Sequence, residues 1–143
     1  MRGENWVGIG AIFGGLAVTI GAFGAHGLRP SPEDLRAMSP IVREATERRL
    51  ENYETGVRYH AYHALAIVGL GAFAMRATSG GRAVNLAGWL FVAGILLFSG
   101  PLYGIGVGGP RALGMVAPLG GVAMIAGWVA FAMGALGRGQ TPR

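Results

Sequence analysis

The sequence predicts an all-α integral membrane protein, a four-helix transmembrane bundle with an additional polar amphipathic helical segment between spans one and two. Of the 143 residues, 52% are hydrophobic and only 13% are charged, whereas soluble domains carry roughly 25% charged residues. The charges are concentrated so that four long stretches contain no Asp, Glu, Lys or Arg. The absence of cysteine also excludes a disulfide-stapled module and a thiolate metal site.

Each uncharged stretch predicts one span of a single membrane domain, residues 1–143. A helix needs roughly 20 apolar residues to cross about 30 Å of hydrocarbon. Three stretches exceed that length, and the second reaches it only if its helix begins near residue 56. The predicted spans are 5–28, 56–75, 83–104 and 112–137. The first is too long in its apolar part to be a removable signal peptide.

The polar segment between spans one and two, about residues 31–55, is predicted to be helical. Ser31-Pro32 and Ser39-Pro40 each combine a side-chain cap with a proline suited to the first helical position. Opposite charges then recur four positions apart, at Arg43 and Glu47, Glu44 and Arg48, and Glu54 and Arg58. We expect a helix that lies at the membrane surface, against a partner, or solvated without one, and that runs on into span two.

Small residues recur at intervals of three and four in the first and fourth spans, which places them on one face of each helix. We call this face of each helix its seam. The glycines of the two seams are Gly10, Gly14, Gly21 and Gly24 in span one, and Gly120, Gly127 and Gly134 in span four. Helices in lipid gain contact energy from close backbone approach over small residues. We expect both seams to be buried in helix packing, with each other as one available partner.

The net charge of +5 does not predict a nucleic-acid partner. All twelve basic residues are arginines; six lie among six acids in the polar segment, and the rest are scattered at the ends of apolar runs. A nucleic-acid surface would need a contiguous basic patch. The charges therefore indicate membrane topology, with the lipid bilayer as the predicted environment.

Threading four spans back and forth assigns every connection to one of two membrane sides. Side one holds the N-terminus, the 76–82 turn and the C-terminus; side two holds the polar segment and the 103–111 connection. Seven arginines on side two against five on side one favour side two in the cytoplasm. Because six of those seven lie among acids, while Arg76 and Arg82 flank a short turn, we favour side one in the cytoplasm.

A candidate polar cluster is predicted at side two, formed by His26, His60, His63, Ser99 and Tyr103. Imidazoles at a membrane face hydrogen-bond backbone carbonyls or headgroups, handle protons or solutes, or bind a metal or haem. The metal alternative would use His26, His60 and His63. No acidic residue lies inside a span, and we assign no cofactor.

No catalytic motif is recognisable. Without lysine there is no Gly-Lys-Ser/Thr phosphate loop, and Ser99 lacks a nearby acid to orient a histidine for a hydrolase triad. We therefore expect a non-enzymatic structural or accessory component, in a larger membrane complex or a homo-oligomer.

Four strings carry a resemblance to a known family: residues 21–28 (GAFGAHGL), 57–65 (VRYHAYHAL), 98–103 (FSGPLY) and 118–123 (PLGGVA). They resemble small bacterial inner-membrane proteins of unknown function, which have eukaryotic transmembrane relatives. The resemblance implies a four-helix multi-pass protein of the inner (plasma) membrane. It places His26, His63, Ser99, Tyr103 and Pro118 on motif positions and carries over no enzymatic activity. Residues 36–52 resemble an insertion particular to this chain.

Overall fold

The computed structural model describes residues 1–76 and 81–137, and every regular element within these ranges is a helix. The α-helices are α1 (Gly3–Phe23), α2 (Pro32–Ala37), α3 (Pro40–Met75), α4 (Gly81–Gly94), α5 (Gly100–Gly106) and α6 (Ala117–Leu136). Gly24–Leu28 and Ile95–Ser99 are π-helical turns that continue α1 and α4, and Arg111–Met115 is a 3₁₀ turn. The turn centred on residues 77–80 and the C-terminal Arg138 and Arg143 lie outside the described residues.

The two helix starts predicted at Ser-Pro pairs are confirmed. Ser31 Oγ accepts a hydrogen bond from Asp34 N, and the Asp34 carboxylate accepts one from Ser31 N, which completes a capping box. Ser39 Oγ accepts a hydrogen bond from Val42 N at the start of α3. These caps satisfy backbone donors that would otherwise be unpaired at a helix end.

Helix α3 joins the polar segment and the predicted second span in one continuous helix of 36 residues, about 54 Å long at 1.5 Å per residue. The predicted pair Glu44 and Arg48 forms an ion pair. The predicted pair Glu54 and Arg58 is wrong, because Glu54 instead binds Arg29, in the chain leaving span one. Arg43 and Glu47 form no ion pair within the described residues.

Helices α1 and α3 pack antiparallel along their shared length. A Cβ atom built on Gly10 would lie 2.7 Å from Val68 N, and one on Gly21 would lie 3.1 Å from Val57 Cγ1. A Cβ atom built on Gly3 would collide with Gly71 and Met75, and one built on Gly24 would collide with the Tyr53 ring. Residue numbers on α3 fall steadily as those on α1 rise, so the two backbones are closely apposed from end to end.

The seam of α1 coincides with the predicted small-residue series at Gly10, Ala17 and Gly24 and departs from it at Gly14. Its buried residues are Gly3, Trp6, Gly10, Ala17 and Gly24. Gly10 and Gly24 belong to the seam, and Gly21 lies at its edge against Val57. A Cβ on Gly14 would meet no described atom within 4 Å, so Gly14 makes no helix contact of the expected kind.

Helix α6 packs antiparallel against α4 and the turn that follows it. A Cβ on Gly120 would meet the backbone of Phe98, one on Gly127 the Phe91 ring, and one on Gly134 Val84. The fourth span therefore buries its glycines against α4, whereas the first buries its seam against α3. The seams of α1 and α6 therefore do not form their main packing contact with each other.

Helix α3 occupies the centre of the packing. Its buried residues include a series spaced three and four apart: Tyr53, Gly56, His60, His63, Ile67 and Leu70. Gly56 faces Leu102 and Tyr103, and Gly106 faces Tyr53, so α3 also runs antiparallel to α5. The core beside it contains Trp6, Ile67, Leu70 and Phe91, all fully buried.

Within residues 1–76 and 81–137, three helical stretches are long and apolar enough to cross a membrane: Gly3–Leu28, Gly81–Gly106 and Arg111–Leu136. Large apolar side chains point outward from them, for example Val18 at 74% and Ile125 at 67% exposed. Lipid-facing helix surfaces have this character. The second half of α3 is less apolar because its tyrosines, histidines and Arg58 interrupt the aliphatic residues.

Candidate functional site

Two helices bring His60 and Tyr103 into a hydrogen bond, with 3.0 Å between His60 Nδ1 and Tyr103 Oη. His60 is only 3% exposed. Gly56, one turn before His60, provides the space for the Tyr103 ring, because a Cβ there would lie 3.0 Å from Tyr103 Cε1. A glycine on α3 thus positions the phenol against the imidazole.

His63 has a defined tautomer, fixed by its two partners. Its Nδ1 lies 2.8 Å from the Tyr59 carbonyl oxygen, which can only accept, so Nδ1 carries the proton. Trp128 Nε1 can only donate, and it donates to His63 Nε2 over 3.3 Å. Both ring nitrogens are therefore occupied in the neutral imidazole, and no lone pair is free for a metal ion.

Two buried polar atoms form no well-aligned hydrogen bond within the described part of the chain: His60 Nε2, and Ser99 Oγ, which approaches the Tyr103 side chain. The Phe13 ring lies edge-on to His60 at 5.5 Å between centroids, and the Phe13 backbone also approaches the imidazole. An unpaired buried polar group costs about 1–3 kcal/mol. Such groups are rare in native proteins and are characteristic of strained or functional positions.

The histidine pair lies near mid-depth of the packed helices, and not at the side-two end where we expected it. Its ring neighbours are Phe13, close to the middle of Gly3–Leu28, and Phe91, within Gly81–Gly106. The expectation counted depth from the first uncharged residue of span two. In the structure Tyr53 lies opposite Gly24, near the end of the first span. His60 and His63 follow Tyr53 on α3, so they lie farther from side two than that count implied.

His26 lies apart from this pair. It is exposed on the π-helical turn Gly24–Leu28 at the side-two end of the first span. Within residues 1–76 and 81–137, no three His, Asp or Glu side chains are placed to hold a metal ion. The three imidazoles therefore do not form a ligand set, and the predicted five-residue cluster reduces to His60, His63, Ser99 and Tyr103.

Tyr53 and Trp128 join the site although the sequence analysis did not include them. Tyr53 Oη donates to the Ile20 carbonyl over 2.9 Å, and its ring lies 5.2 Å from that of Tyr103. The spacing of three and four through Tyr53, Gly56 and His60 could have revealed Tyr53. No sequence signal indicates that the indole of Trp128, 48% exposed, turns its N–H inward to His63.

At side one, a separate polar contact joins the first span to α4. Asn85 Oδ1 accepts hydrogen bonds from Trp6 Nε1 at 2.8 Å and from the Met1 ammonium at 3.0 Å. Trp6 is fully buried, and a Cβ on Gly88 would collide with its ring. This arrangement fixes the relative position of the two helices and has no evident chemistry.

Comparison with known proteins connects these residues to a family. The model of a family described as protein of unknown function, DUF423, matches residues 20–121, which include all five predicted site residues. The UPF0382 membrane protein YwdK of Bacillus subtilis is 43% identical over 128 residues, covering 90% of this chain and 93% of its own. A UPF0382 membrane protein of Staphylococcus aureus is 37% identical, covering 85% and 86%.

A further UPF0382 membrane protein, of Haemophilus influenzae, is 32% identical over 124 residues, covering 87% of each chain. No solved structure matches the chain. The resemblance inferred from the four strings is confirmed. This chain belongs to the DUF423, or UPF0382, family of bacterial membrane proteins, whose function is uncharacterised.

Proposed function

We propose that this chain is a four-span protein of the inner membrane that serves as a structural or accessory component of a larger assembly, without catalytic chemistry of its own. Four crossings are supported by the pairing of α3 with α1, because Tyr53 to Gly71 of α3 run beside Gly24 to Gly3 of α1. A bilayer crossed by α1 is then crossed by α3 as well.

The two charges in that part of α3, Glu54 and Arg58, are compatible with a crossing because both lie in its first two turns, and Glu54 is paired with Arg29. Arg58 is exposed, and side chains on a helix lean toward its N-terminus, which for α3 is side two. Because Arg58 lies only two residues before His60, its long aliphatic stem must reach along the helix toward the headgroups of side two. Arg58 is in the half of the crossing nearer side two.

The observation that carries the accessory role is the first third of α3. Residues 40–52 extend beyond the level at which Tyr53 meets Gly24, and they present Ile41 at 81% and Val42 at 51% exposed. Two adjacent apolar side chains on a charged, capped and rigid helix are suited to contact with another protein. The continuous helix fixes that contact relative to the membrane-embedded part.

The proposal is tested by chemical cross-linking in native membranes, followed by purification in mild detergent. We expect one defined complex with a larger membrane protein, lost in Ile41→Asn/Val42→Asn and retained in the matched control Arg43→Gln/Glu44→Gln. A species that is only this chain, alone or self-associated, or a complex that survives in the first variant, would contradict the accessory role.

A second candidate function, proton or polar-solute handling, is favoured by one specific observation. Among the described residues, His60 Nε2 and Ser99 Oγ are buried near mid-depth without a well-aligned hydrogen bond, and intramembrane ionisable groups commonly mark a pathway. If this function applies, His60→Gln should abolish pH-driven flux in proteoliposomes, and His26→Gln, at an exposed histidine, should leave it intact. Equal flux in both variants and in protein-free vesicles would eliminate the candidate.

A further inference from the structure

A basic pocket lies at side two, between α3 and the connection from α5 to the 3₁₀ turn. It encloses about 450 Å³ and is lined by, among others, Arg48, Arg49, Asn52, Gly108, Gly109 and Arg111. None of its described lining residues is acidic. It shares no lining residue with the histidine site.

Backbone geometry shapes the wall opposite α3. Gly108 has φ +97°, a conformation that favours glycine, and Gly108 N and Gly109 N donate to Ile105 and Gly104 carbonyls to close the turn. The glycines leave the space in front of α3 open. Arg49 Nη1 lies 3.8 Å from the position that a Cβ on Gly108 would occupy.

Two of the three arginines that line the pocket are not balanced by an ion pair within the described residues. Arg48 pairs with Glu44, whereas Arg49 and Arg111 form no ion pair within the described residues. Like charges that converge on one pocket repel each other unless an anion lies between them. Guanidinium groups bind phosphate oxygens with paired, charge-assisted hydrogen bonds, and the Asn52 amide offers a further donor.

The pocket lies at the level where two spans end. Gly81–Gly106 ends just before Gly108, and Arg111–Leu136 begins at Arg111 itself. Beside it, Val107 and Met115 are 56% and 75% exposed, as expected of side chains in contact with acyl chains. Basic pockets between spans at this level recognise anionic lipid headgroups.

We propose that this pocket binds the phosphate headgroup of an anionic phospholipid, with its acyl chains against Val107 and Met115. The guanidinium groups of Arg49 and Arg111 hold the phosphate, and Arg48 and Asn52 complete the rim. The site goes beyond the proposed accessory role, and it does not require a protein partner.

The test measures thermal stability and bound lipid, by native mass spectrometry, for the full chain in a neutral detergent. We expect phosphatidylglycerol to raise the melting temperature and to bind at least about tenfold more tightly than phosphatidylcholine. Arg49→Gln/Arg111→Gln should lose that preference. The control Arg36→Gln/Arg43→Gln removes two exposed arginines outside the pocket and should keep it.

Three outcomes would overturn the proposal: equal binding of the two lipids to the unaltered chain, an unchanged preference in Arg49→Gln/Arg111→Gln, or full stabilisation by soluble glycerol phosphate alone. The last would assign the pocket to a soluble phosphate compound. Should the double glutamine variant aggregate, Arg49→Lys/Arg111→Lys retains the charge and removes the guanidinium geometry. It should then bind phosphatidylglycerol several-fold more weakly, and unchanged binding would also contradict the proposal.

Discussion

Glycines that look equivalent in the sequence of span one have different surroundings in the structure. Gly10 lies against the α3 backbone, whereas Gly14 has open space where a side chain would be. The sequence analysis followed small residues alone. In the structure the seam alternates small residues (Gly10, Ala17) with large ones (Trp6, Phe13), so a search for small residues selects Gly14 in place of Phe13.

Replacing Gly10 by Leu should destabilise the protein, whereas replacing Gly14 should not. A Cβ on Gly10 lies 2.7 Å from both Val68 N and Val68 Cγ2, so α1 and α3 must separate to accommodate leucine. Overpacking of this kind lowers the free energy of unfolding by about 1–3 kcal/mol. Thermal denaturation of both variants in the same detergent measures the difference, and equal melting temperatures would show that the α1–α3 seam is wrongly placed.

The two hydroxyl groups near His60 should respond in opposite ways to removal. Tyr103→Phe takes away the partner of His60 Nδ1 and leaves the buried ring without a hydrogen bond, which costs about 1–3 kcal/mol. Ser99→Ala removes an oxygen that approaches the Tyr103 side chain but forms no well-aligned hydrogen bond among the described residues, so stability should stay equal or rise. Chemical denaturation of the two variants provides the comparison, and a large loss in Ser99→Ala would reveal a bond that the structure does not contain.

At the scale of elements, helix starts were predictable and helix partners were not. Ser31 and Ser39 cap helices through local hydrogen bonds, and such signals are contained in a few adjacent residues. The choice of α3 as the partner of α1 depends on packing between distant residues. Spans one and four carry similar small-residue spacing, so the sequence alone favours neither α3 nor α6 as the partner of the first span.

Cysteine cross-linking distinguishes the two pairings, since the chain contains no cysteine of its own. A Cβ on Gly21 lies 3.1 Å from Val57 Cγ1, so Gly21→Cys/Val57→Cys should form a disulfide on mild oxidation in membranes. Gly21→Cys/Ala123→Cys places the second thiol three residues after Gly120, among the small residues of span four, and should not cross-link. The reverse result would assign α6 as the partner of α1.

The depth of the histidines in the helix bundle also could not be predicted from the sequence. Counting from the nearest charges put His60 and His63 at one membrane face, but the depth follows from which residue of α1 lies opposite each turn of α3. The buried series from Tyr53 to Leu70 spaced three and four apart shows that both histidines occupy interior positions. His26, at the end of its span, is exposed.

For the whole molecule, composition and four short strings were sufficient to predict an all-helical membrane protein and its family. These properties depend on summed apolarity and on local residue patterns, which a sequence displays directly. The structure places four of the five predicted residues close together, His60, His63, Ser99 and Tyr103. Tyr53 and Trp128 enter only through three-dimensional contacts.

The number of crossings determines where the two chain ends lie. With four crossings, tags fused to the N-terminus and to the C-terminus should be on the same side of the membrane, and protease added to sealed spheroplasts should cleave both or neither. If α3 lay flat, three crossings would remain and the tags would be on opposite sides. Cleavage of one tag only would therefore contradict the four-span proposal.

The unbroken length of α3 has a mechanical consequence. A rod of about 54 Å without a break joins its first turns and His60 in one rigid element. Under the accessory role proposed above, a neighbour docked at Ile41 would therefore bear on the His60–Tyr103 hydrogen bond through the helix itself, without any hinge.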